Sequence, residues 1–364
     1  MKVIMTGGGT GGHIYPAIAI ADKIMEKDPR AEILFVGTAH GLETNIVPAN
    51  GYNIEFVTVQ GLNRKNIFKN VDLPRKLLKG RREAKGIIEN FRPDVVIGTG
   101  GYVSAPVIRS GAKFGAKIYI HEQNAFPGLT NRMSEKFAEN VFLGFADAAK
   151  YFRQPEKHVL TGNPVRKEFF ITEKEAARND IRIDKDDFMV LSFGGSQGAG
   201  RINKAMMGVI ESMNGMDGIQ ICLGTGSFYY DAIMDEFEER GVELSDNIHI
   251  MEYINDMEKY LAAADLVISR SGALTVAEVT VCGKPAIFIP SPIVTGNHQY
   301  YNAKAVVDKK GAVILEESLL SGEALAGQIG KFKNDRILLE EMSRASRSCA
   351  YTDAADVIYG YIKQ

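Results

Sequence analysis

Five glycines within six positions, followed at once by a histidine, form the stretch GGGTGGH at 7–13. Glycine permits a tight turn after a strand, and the amides it leaves exposed at a helix N-terminus attract anions. An imidazole at such a mouth is close to half-protonated at cellular pH, so His13 is suited to moving a proton. Three further loops have the same character: Gly98-Thr99-Gly100-Gly101, Gly194-Gly195-Ser196-Gln197-Gly198 and Ser271-Gly272-Ala273. One such loop is usually no more than a turn. Four of them, most with a polar side chain at the mouth, point to a ligand held by backbone amides.

Other residues narrow the ligand. Glu278 sits early in a helical segment, where a carboxylate can accept two hydrogen bonds from a vicinal diol such as a ribose. Standing alone, it reads rather as a solvated helix carboxylate. In GNHQYYNA, Gln299 offers both a donor and an acceptor to sugar hydroxyls. Gly7-x-Gly9-x-x-Gly12 fits the dinucleotide fingerprint formally, but that fingerprint needs an acid at the end of the next strand. The strand ends Val36-Gly37-Thr38 and no acid follows before Glu43, which disfavours NAD or FAD. There is no Gly-Lys-Ser/Thr of a Walker loop. Asp184-Lys185-Asp186 precedes a strand within a charged linker and reads as a solvated loop rather than a metal site.

These residues are carried by short apolar runs alternating with amphipathic helical segments. Strands are expected at 2–5, 32–36, 54–57, 94–97, 117–121 and 140–143. A second series restarts at 188–193 and continues at 220–223, 248–251, 266–269, 286–289 and 313–315. The alternation predicts an α/β chain of two doubly wound, Rossmann-like parallel-sheet domains in tandem. The expected boundaries are 1–163 and 164–340, with a helix over 341–364 crossing back onto the first domain. Length fits, since 364 residues suffice for two cores. The formal net charge of −2 excludes a nucleic-acid binder by electrostatics. Cys222, Cys282 and Cys349 lie far apart, and the first two fall in apolar segments, as buried thiols of a reducing compartment do. No run of eighteen apolar residues exists to span a membrane. The opening MKVIMTGGG is too short and glycine-rich for a signal peptide.

Seven motifs in order, GGGTGGHIYPAIAIA, GTGGYVSAP, HEQNAFPG, LTGNPVR, FGGSQGA, RSGALTVAE and NHQYYNA, cover nearly the whole chain. Together they resemble the MurG family, the UDP-N-acetylglucosamine–N-acetylmuramyl-(pentapeptide) pyrophosphoryl-undecaprenol N-acetylglucosamine transferases of bacterial cell-wall synthesis. The resemblance implies a GT-B fold, two Rossmann-like domains facing a cleft, and an inverting transfer that makes a β-1,4 bond. It implies UDP-N-acetylglucosamine bound by the second domain and an undecaprenyl-linked muramyl-pentapeptide acceptor bound by the first. Another GT-B transferase, acting on a different lipid or a natural product, is the alternative, and GGTGGH and HEQNAFPG speak against it.

Carried over residue by residue, the resemblance assigns uracil to the backbone of Ile254 and the ribose diol to Glu278. The diphosphate falls to Ser196 and to the segment Ala273-Leu274-Thr275. N-acetylglucosamine falls to Gln299, Asn124 and the Thr10-Gly11-Gly12 loop, and a further donor contact to Arg166. An inverting displacement needs a base for the acceptor hydroxyl and stabilisation of the departing UDP. His13 is the first candidate for the base, with acceptor or leaving-group binding as its rival role. Glu122 of HEQN is the second candidate, and His121 beside it reads as a structural group. No metal and no cofactor are expected, because amide dipoles and Arg166 would neutralise the diphosphate.

Residues 64–85, RKNIFKNVDLPRKLLKGRREAK, hold nine basic and two acidic side chains, a net +7. Apolar residues are interleaved with them. Such a segment suits an anionic membrane surface, with Ile67, Phe68, Lys76, Leu77, Lys79, Arg81 and Arg82 as its contacts. An ordinary solvated helix is the other reading. The lipid-linked acceptor implied by the resemblance favours the membrane. It also implies a peripheral place on the cytoplasmic side of the cell membrane, near other cell-wall synthesis and division proteins.

Overall fold

The computed structural model describes residues 1–60, 72–195 and 197–364. Ile67, Phe68 and Ser196 lie outside the described residues. Two compact units emerge: Met1–Val165 with Asp353–Gln364, and Arg166–Thr352.

The strands of unit 1 are β1 (Lys2–Gly7), β2 (Glu32–Gly37), β3 (Asn53–Phe56), β4 (Val95–Gly100), β5 (Lys117–Glu122), β6 (Asn140–Leu143) and β7 (His158–Leu160). They pair in the order 3-2-1-4-5-6-7, all parallel. The helices are α1 (Gly11–Lys27), α2 (Glu43–Ala49), α3 (Leu73–Phe91), α4 (Ser104–Phe114) and α5 (Leu129–Ser134). Val3, Ile4, Met5, Val96 and Ile97 are fully buried. Apolar clusters lie on both faces of the sheet, which is why its strands read as unbroken apolar runs rather than alternating ones. The short edge strand β7 was not among the expected strands. It is three residues long and follows Pro155, so neither length nor pattern marks it.

Unit 2 repeats the plan. Its first elements are α6 (Glu168–Ile171), α7 (Lys174–Asp180), β8 (Phe188–Phe193), α8 (Gly200–Met213), β9 (Ile219–Gly224), α9 (Tyr230–Glu239) and β10 (Ile248–Met251). There follow α10 (Met257–Ala263), β11 (Leu266–Ser269), α11 (Ala273–Val281), β12 (Ala286–Phe288), α12 (His298–Val307), β13 (Ala312–Ile314), α13 (Gly322–Asn334) and α14 (Arg336–Arg347). The sheet order is 10-9-8-11-12-13, again parallel throughout. The chain then returns to unit 1 as α15 (Ala354–Ile362), which buries Ile358 and Ile362 in the cluster around α1. The return therefore starts at residue 353, not at the expected 341. Met342 of α14 is buried in the core of unit 2, and Arg347 of that helix donates to the Cys282 carbonyl.

Both sheets reverse direction beside their first strand, between β1 and β4 and between β8 and β11. In open parallel sheets ligands bind outside the carboxyl ends of the strands at such a reversal. All four glycine loops leave one of these four strands.

Candidate active site

In unit 1 the loop after β1 meets the loop after β4 at backbone distance. A Cβ at Gly7 would stand 2.0 Å from Thr99 Oγ1, and one at Gly101 would stand 2.6 Å from the Gly8 carbonyl. Gly9, Gly100 and Gly101 all have positive φ. These glycines are needed for close approach and for turn geometry. Beneath the loop lies Glu43 of α2, fully buried. Its carboxylate accepts from the Gly9 amide at 2.9 Å, the Thr38 amide at 2.9 Å and Thr38 Oγ1 at 2.7 Å. Burial works to raise its pKa, but those donors outweigh burial and hold it below the ordinary range. In the sequence Glu43 stood out only as an acid in the wrong place for a dinucleotide. In the fold it fastens the glycine loop to the end of β2.

His13 lies in the first turn of α1, which opens at Thr10, Gly11 and Gly12. The Thr10 carbonyl accepts from the amides of His13 and Ile14. The imidazole covers Gly100, where an added Cβ would come within 2.8 Å of the ring. Nδ1 is 3.0 Å from the Thr99 carbonyl oxygen and 3.1 Å from Gln123 Oε1. Two acceptors at one nitrogen place the hydrogen there, and Nε2 becomes the nitrogen that can take a proton.

Glu122, the second candidate for the base, is held by its own turn. It is buried, and its oxygens accept from the Asn124 and Gly128 amides and from Asn131 Nδ2 and Asn124 Nδ2. A carboxylate holding four donors shapes the 123–128 turn, and so places Asn124; it is poorly placed to collect a proton from an acceptor. Burial still pushes its carboxyl above the ordinary range. His121 is fully buried, and desolvation lowers its pKa to about 4, so it stays neutral.

In unit 2 the loop after β8 packs on the loop after β9. A Cβ at Gly198 would stand 2.0 Å from the Thr225 carbonyl, and Asn203 Nδ2 of α8 donates to that carbonyl. The loop after β11 leads through Gly272 into Ala273, Leu274 and Thr275, the first turn of α11. That N-terminus has no side-chain cap among the described residues, so its amides can receive an anion. Ser271 Oγ donates to the Gln299 carbonyl and Asn302 Nδ2 to the Ser271 carbonyl, which ties the start of α12 to that of α11. Gln299 Oε1 accepts from the Ser291 amide, which fixes the orientation of its carboxamide.

Ile254 is buried after β10, its side chain against Gly224. Arg166 pairs with Glu258 of α10 at 3.4 Å and lies over the Phe169 ring. Glu258 was not singled out from the sequence. Burial pushes the Glu278 carboxyl up to about 7, against the attraction of Arg166 and with repulsion from Glu258. These two acids and Arg166 thus form one electrostatic cluster. Among the described residues no group of three or more His, Cys, Asp or Glu is arranged to hold a metal ion. Asp184 Oδ1 accepts from the Asp186 amide and closes its own turn.

Residues 3–143 match the glycosyltransferase family 28 N-terminal domain and residues 189–358 its C-terminal domain. Relatives from Alkaliphilus metalliredigens and Clostridioides difficile are 43% and 44% identical. The alignments span 100% of this chain and 98% and 88% of theirs. Both carry the name UDP-N-acetylglucosamine–N-acetylmuramyl-(pentapeptide) pyrophosphoryl-undecaprenol N-acetylglucosamine transferase. The chain belongs to the MurG family. It is a glycosyltransferase with the two Rossmann-like units of the GT-B fold. A crystal structure of Acinetobacter baumannii MurG is similar with a TM-score of 0.77 and 28% identity, over 100% of this chain and 99% of that one. A Neisseria meningitidis UDP-GlcNAc 2-epimerase bound to UDP-GlcNAc has a TM-score of 0.70 at 12% identity, with both chains covered in full. That second likeness is one of fold alone.

The α3 side of the MurG-family chain carries the other expected residues. Leu77 and Leu78 are exposed, as are Lys79, Arg81 and Arg82, while Gly80, Ala84, Ile87 and Ile88 form the buried face. Lys76 is less available, because its Nζ donates to Gln60 Oε1. Lys79 is paired with Glu83. Among the described residues no helix is long and apolar enough to cross a membrane.

Proposed function

We propose that this chain transfers N-acetylglucosamine from UDP-N-acetylglucosamine to an undecaprenyl-pyrophosphoryl-N-acetylmuramyl-pentapeptide, the step from lipid I to lipid II in peptidoglycan synthesis, with inversion at the anomeric carbon. One observation carries the chemistry: an imidazole at a strand-order reversal whose Nδ1–H is held by acceptors, leaving Nε2 as the basic nitrogen. Family membership supplies the substrates.

In this reading His13 Nε2 takes the proton of the acceptor hydroxyl as its oxygen bonds to the anomeric carbon. The bond from that carbon to the phosphate oxygen breaks, and UDP leaves with the electron pair. The amides of Ala273, Leu274 and Thr275, with Arg166, receive the developing charge. Glu278 as carboxylate accepts from the ribose hydroxyls, and the backbone at Ile254 meets uracil. Gln299, Asn124 and Thr10-Gly11-Gly12 orient the sugar. Arg81, Arg82 and the exposed Leu77, Leu78, Leu129 and Met133 of α3 and α5 meet an anionic bilayer, which keeps the enzyme peripheral on its cytoplasmic side.

The test is turnover of UDP-N-acetylglucosamine with a short-chain muramyl-pentapeptide pyrophosphoryl lipid, in excess chelator. The expected result is acceptor-dependent UDP release and a β-linked disaccharide. Tight donor binding without acceptor-dependent release, or an α-linked product, overturns the reading.

A further inference from the structure

We infer that Gln123 is a positioning residue that fixes the tautomer and orientation of His13, through a hydrogen-bonded chain anchored on three main-chain carbonyls. The inference rests on the reading of His13 as the base.

Carbonyl oxygens only accept, so each anchor leaves a single answer. Gly162 O lies 3.2 Å from His121 Nε2, so the hydrogen of neutral His121 is on Nε2 and its Nδ1 is an acceptor. Gln123 Nε2 lies 2.9 Å from that Nδ1 and 3.1 Å from His121 O. Reversing the amide would set Oε1 against two acceptors, so the nitrogen belongs there. Oε1 is thereby turned to His13 Nδ1, at 3.1 Å, beside Thr99 O at 3.0 Å. Both require the hydrogen of His13 on Nδ1. Gln123 is itself held: it is 1% exposed, and its carbonyl accepts from Asn163 Nδ2. The amide acts as a rigid coupler between a buried histidine that stays neutral and the half-buried His13. A side chain hydrogen-bonded on both sides cannot swing away when His13 gains a proton, and its oxygen stabilises the imidazolium that forms.

Other titratable groups stand on the elements around His13. Tyr15 is on its own helix, Glu43 on α2 is held by Gly9 and Thr38, and Tyr102 follows β4. Glu122 on β5 is held by its own turn. On α15, which packs against α1, Asp356 pairs with Lys23. None of these replaces the amide at Nδ1.

The protein as it stands, labelled with 15N at histidine, reads the hydrogens directly in a long-range 1H–15N spectrum, with His13→Ala and His121→Ala assigning the signals. At pH 8 His13 should show hydrogen on Nδ1, and His121 hydrogen on Nε2, with His121 remaining neutral to about pH 5. Hydrogen on Nε2 of His13 overturns the inference whatever the activity. Two variants add a functional reading. Gln123→Met, nearly isosteric, removes the acceptor. The single-turnover transfer rate should fall about tenfold with donor KM unchanged, and the acid limb of its pH profile should move to lower pH. Gln123→Glu puts a carboxylate at Nδ1–H and should move the same limb to higher pH by roughly one unit. A filler of space would not move the limb in opposite directions, so unmoved limbs overturn the proposal. If the tautomers are as stated but His13→Ala keeps its rate, the base reading fails and the hydrogen network stands.

Discussion

The loop after the first strand of unit 1 folds over a carboxylate, whereas the loop after the equivalent strand of unit 2 folds over backbone. Cβ atoms at Gly8, Gly37 and Gly41 would all strike the Glu43 side chain, at 2.4, 2.6 and 2.0 Å. In unit 2, Gly198 gives way to the Thr225 carbonyl and Gly226 to the Gly198 amide. The two sheets share the order 3-2-1-4-5, and the same glycine-rich turn serves two ends. In unit 1 the loop amide of Gly9 is consumed internally, and what stands at the mouth is an imidazole. In unit 2 the first turn of α11, which like that of α1 has no side-chain cap among the described residues, has amides that can receive an anion. The connections from third to fourth strand differ in the same sense. In unit 1 it includes the long basic helix α3; in unit 2 it is the seven-residue α10, whose Glu258 engages Arg166. On the proposed reading, one unit serves proton transfer and presents a charged surface, and the other neutralises a diphosphate.

The largest expected effect breaks the proton side alone. His13→Ala should lower kcat by about a hundredfold or more, a usual general-base contribution, with UDP affinity near normal. Steady-state rates and calorimetry on one preparation check it. A near-normal kcat removes the base role, and a pure acceptor KM effect moves His13 to acceptor binding.

Next comes the donor side. Glu278→Ala should weaken UDP-N-acetylglucosamine binding by roughly 1.5–3 kcal/mol, the range for hydrogen bonds to a charged group. Because the carboxyl titrates near 7, donor affinity should also fall as pH drops below that value, and Glu278→Gln should abolish the dependence. Unchanged UDP affinity in folded Glu278→Ala protein would refute the assignment.

The third contrast concerns α3. Arg81 and Arg82 are exposed without a partner ion among the described residues, whereas Lys76 donates to Gln60 and Lys79 pairs with Glu83. At about 1 kcal/mol per charge near an anionic surface, changing both to Gln should weaken vesicle binding by about 2 kcal/mol, roughly thirtyfold. Turnover of a water-soluble acceptor analogue should hardly change. Equal sedimentation of parent and variant with anionic vesicles would leave α3 an ordinary solvated face.

How much of this was legible in the sequence differs by region for physical reasons. All six strands of unit 2 fall where buried apolar runs were expected, because a parallel strand covered on both faces has no polar side to blur it. Strand β7 carried too little apolar residue to announce itself. Glu122 reads as a candidate base because HEQN sets polar groups side by side, and only the turn through Gly128 and Asn131 shows where its lone pairs go. Arg166 was read as a phosphate contact, but its partner Glu258 lies 92 positions away, a pairing no local pattern encodes. The Gln123 amide was invisible as a coupler because its meaning depends on which atom faces which carbonyl.

The smallest effect is also the sharpest comparison, since the two acids push pH dependence in opposite directions. Glu43 is held below its ordinary pKa, so its ionised form belongs to the folded state. Its contribution to stability is present above the unfolded value near 4.5 and is lost as pH falls through the folded one. Glu278 is raised to about 7, so its protonated form belongs to the folded state. Between about 4.5 and 7 the unfolded chain gives up this proton first, so stability falls as pH rises through that window and is level above it. Glu278→Gln should therefore melt higher than the parent at pH 8 and close to it at pH 4.5. Glu43→Gln turns an NH2 toward donors and should melt lower at pH 8, with the gap narrowing in acid. Each difference should be a few degrees, as about 1 kcal/mol moves Tm by roughly 2–4 °C in chains of this order of size. Calorimetry at the two pH values decides it. If both variants shift in the same direction at pH 8, the two carboxylates are not in opposed environments, and the contrast between a loop folded over charge and a site awaiting it fails at its base.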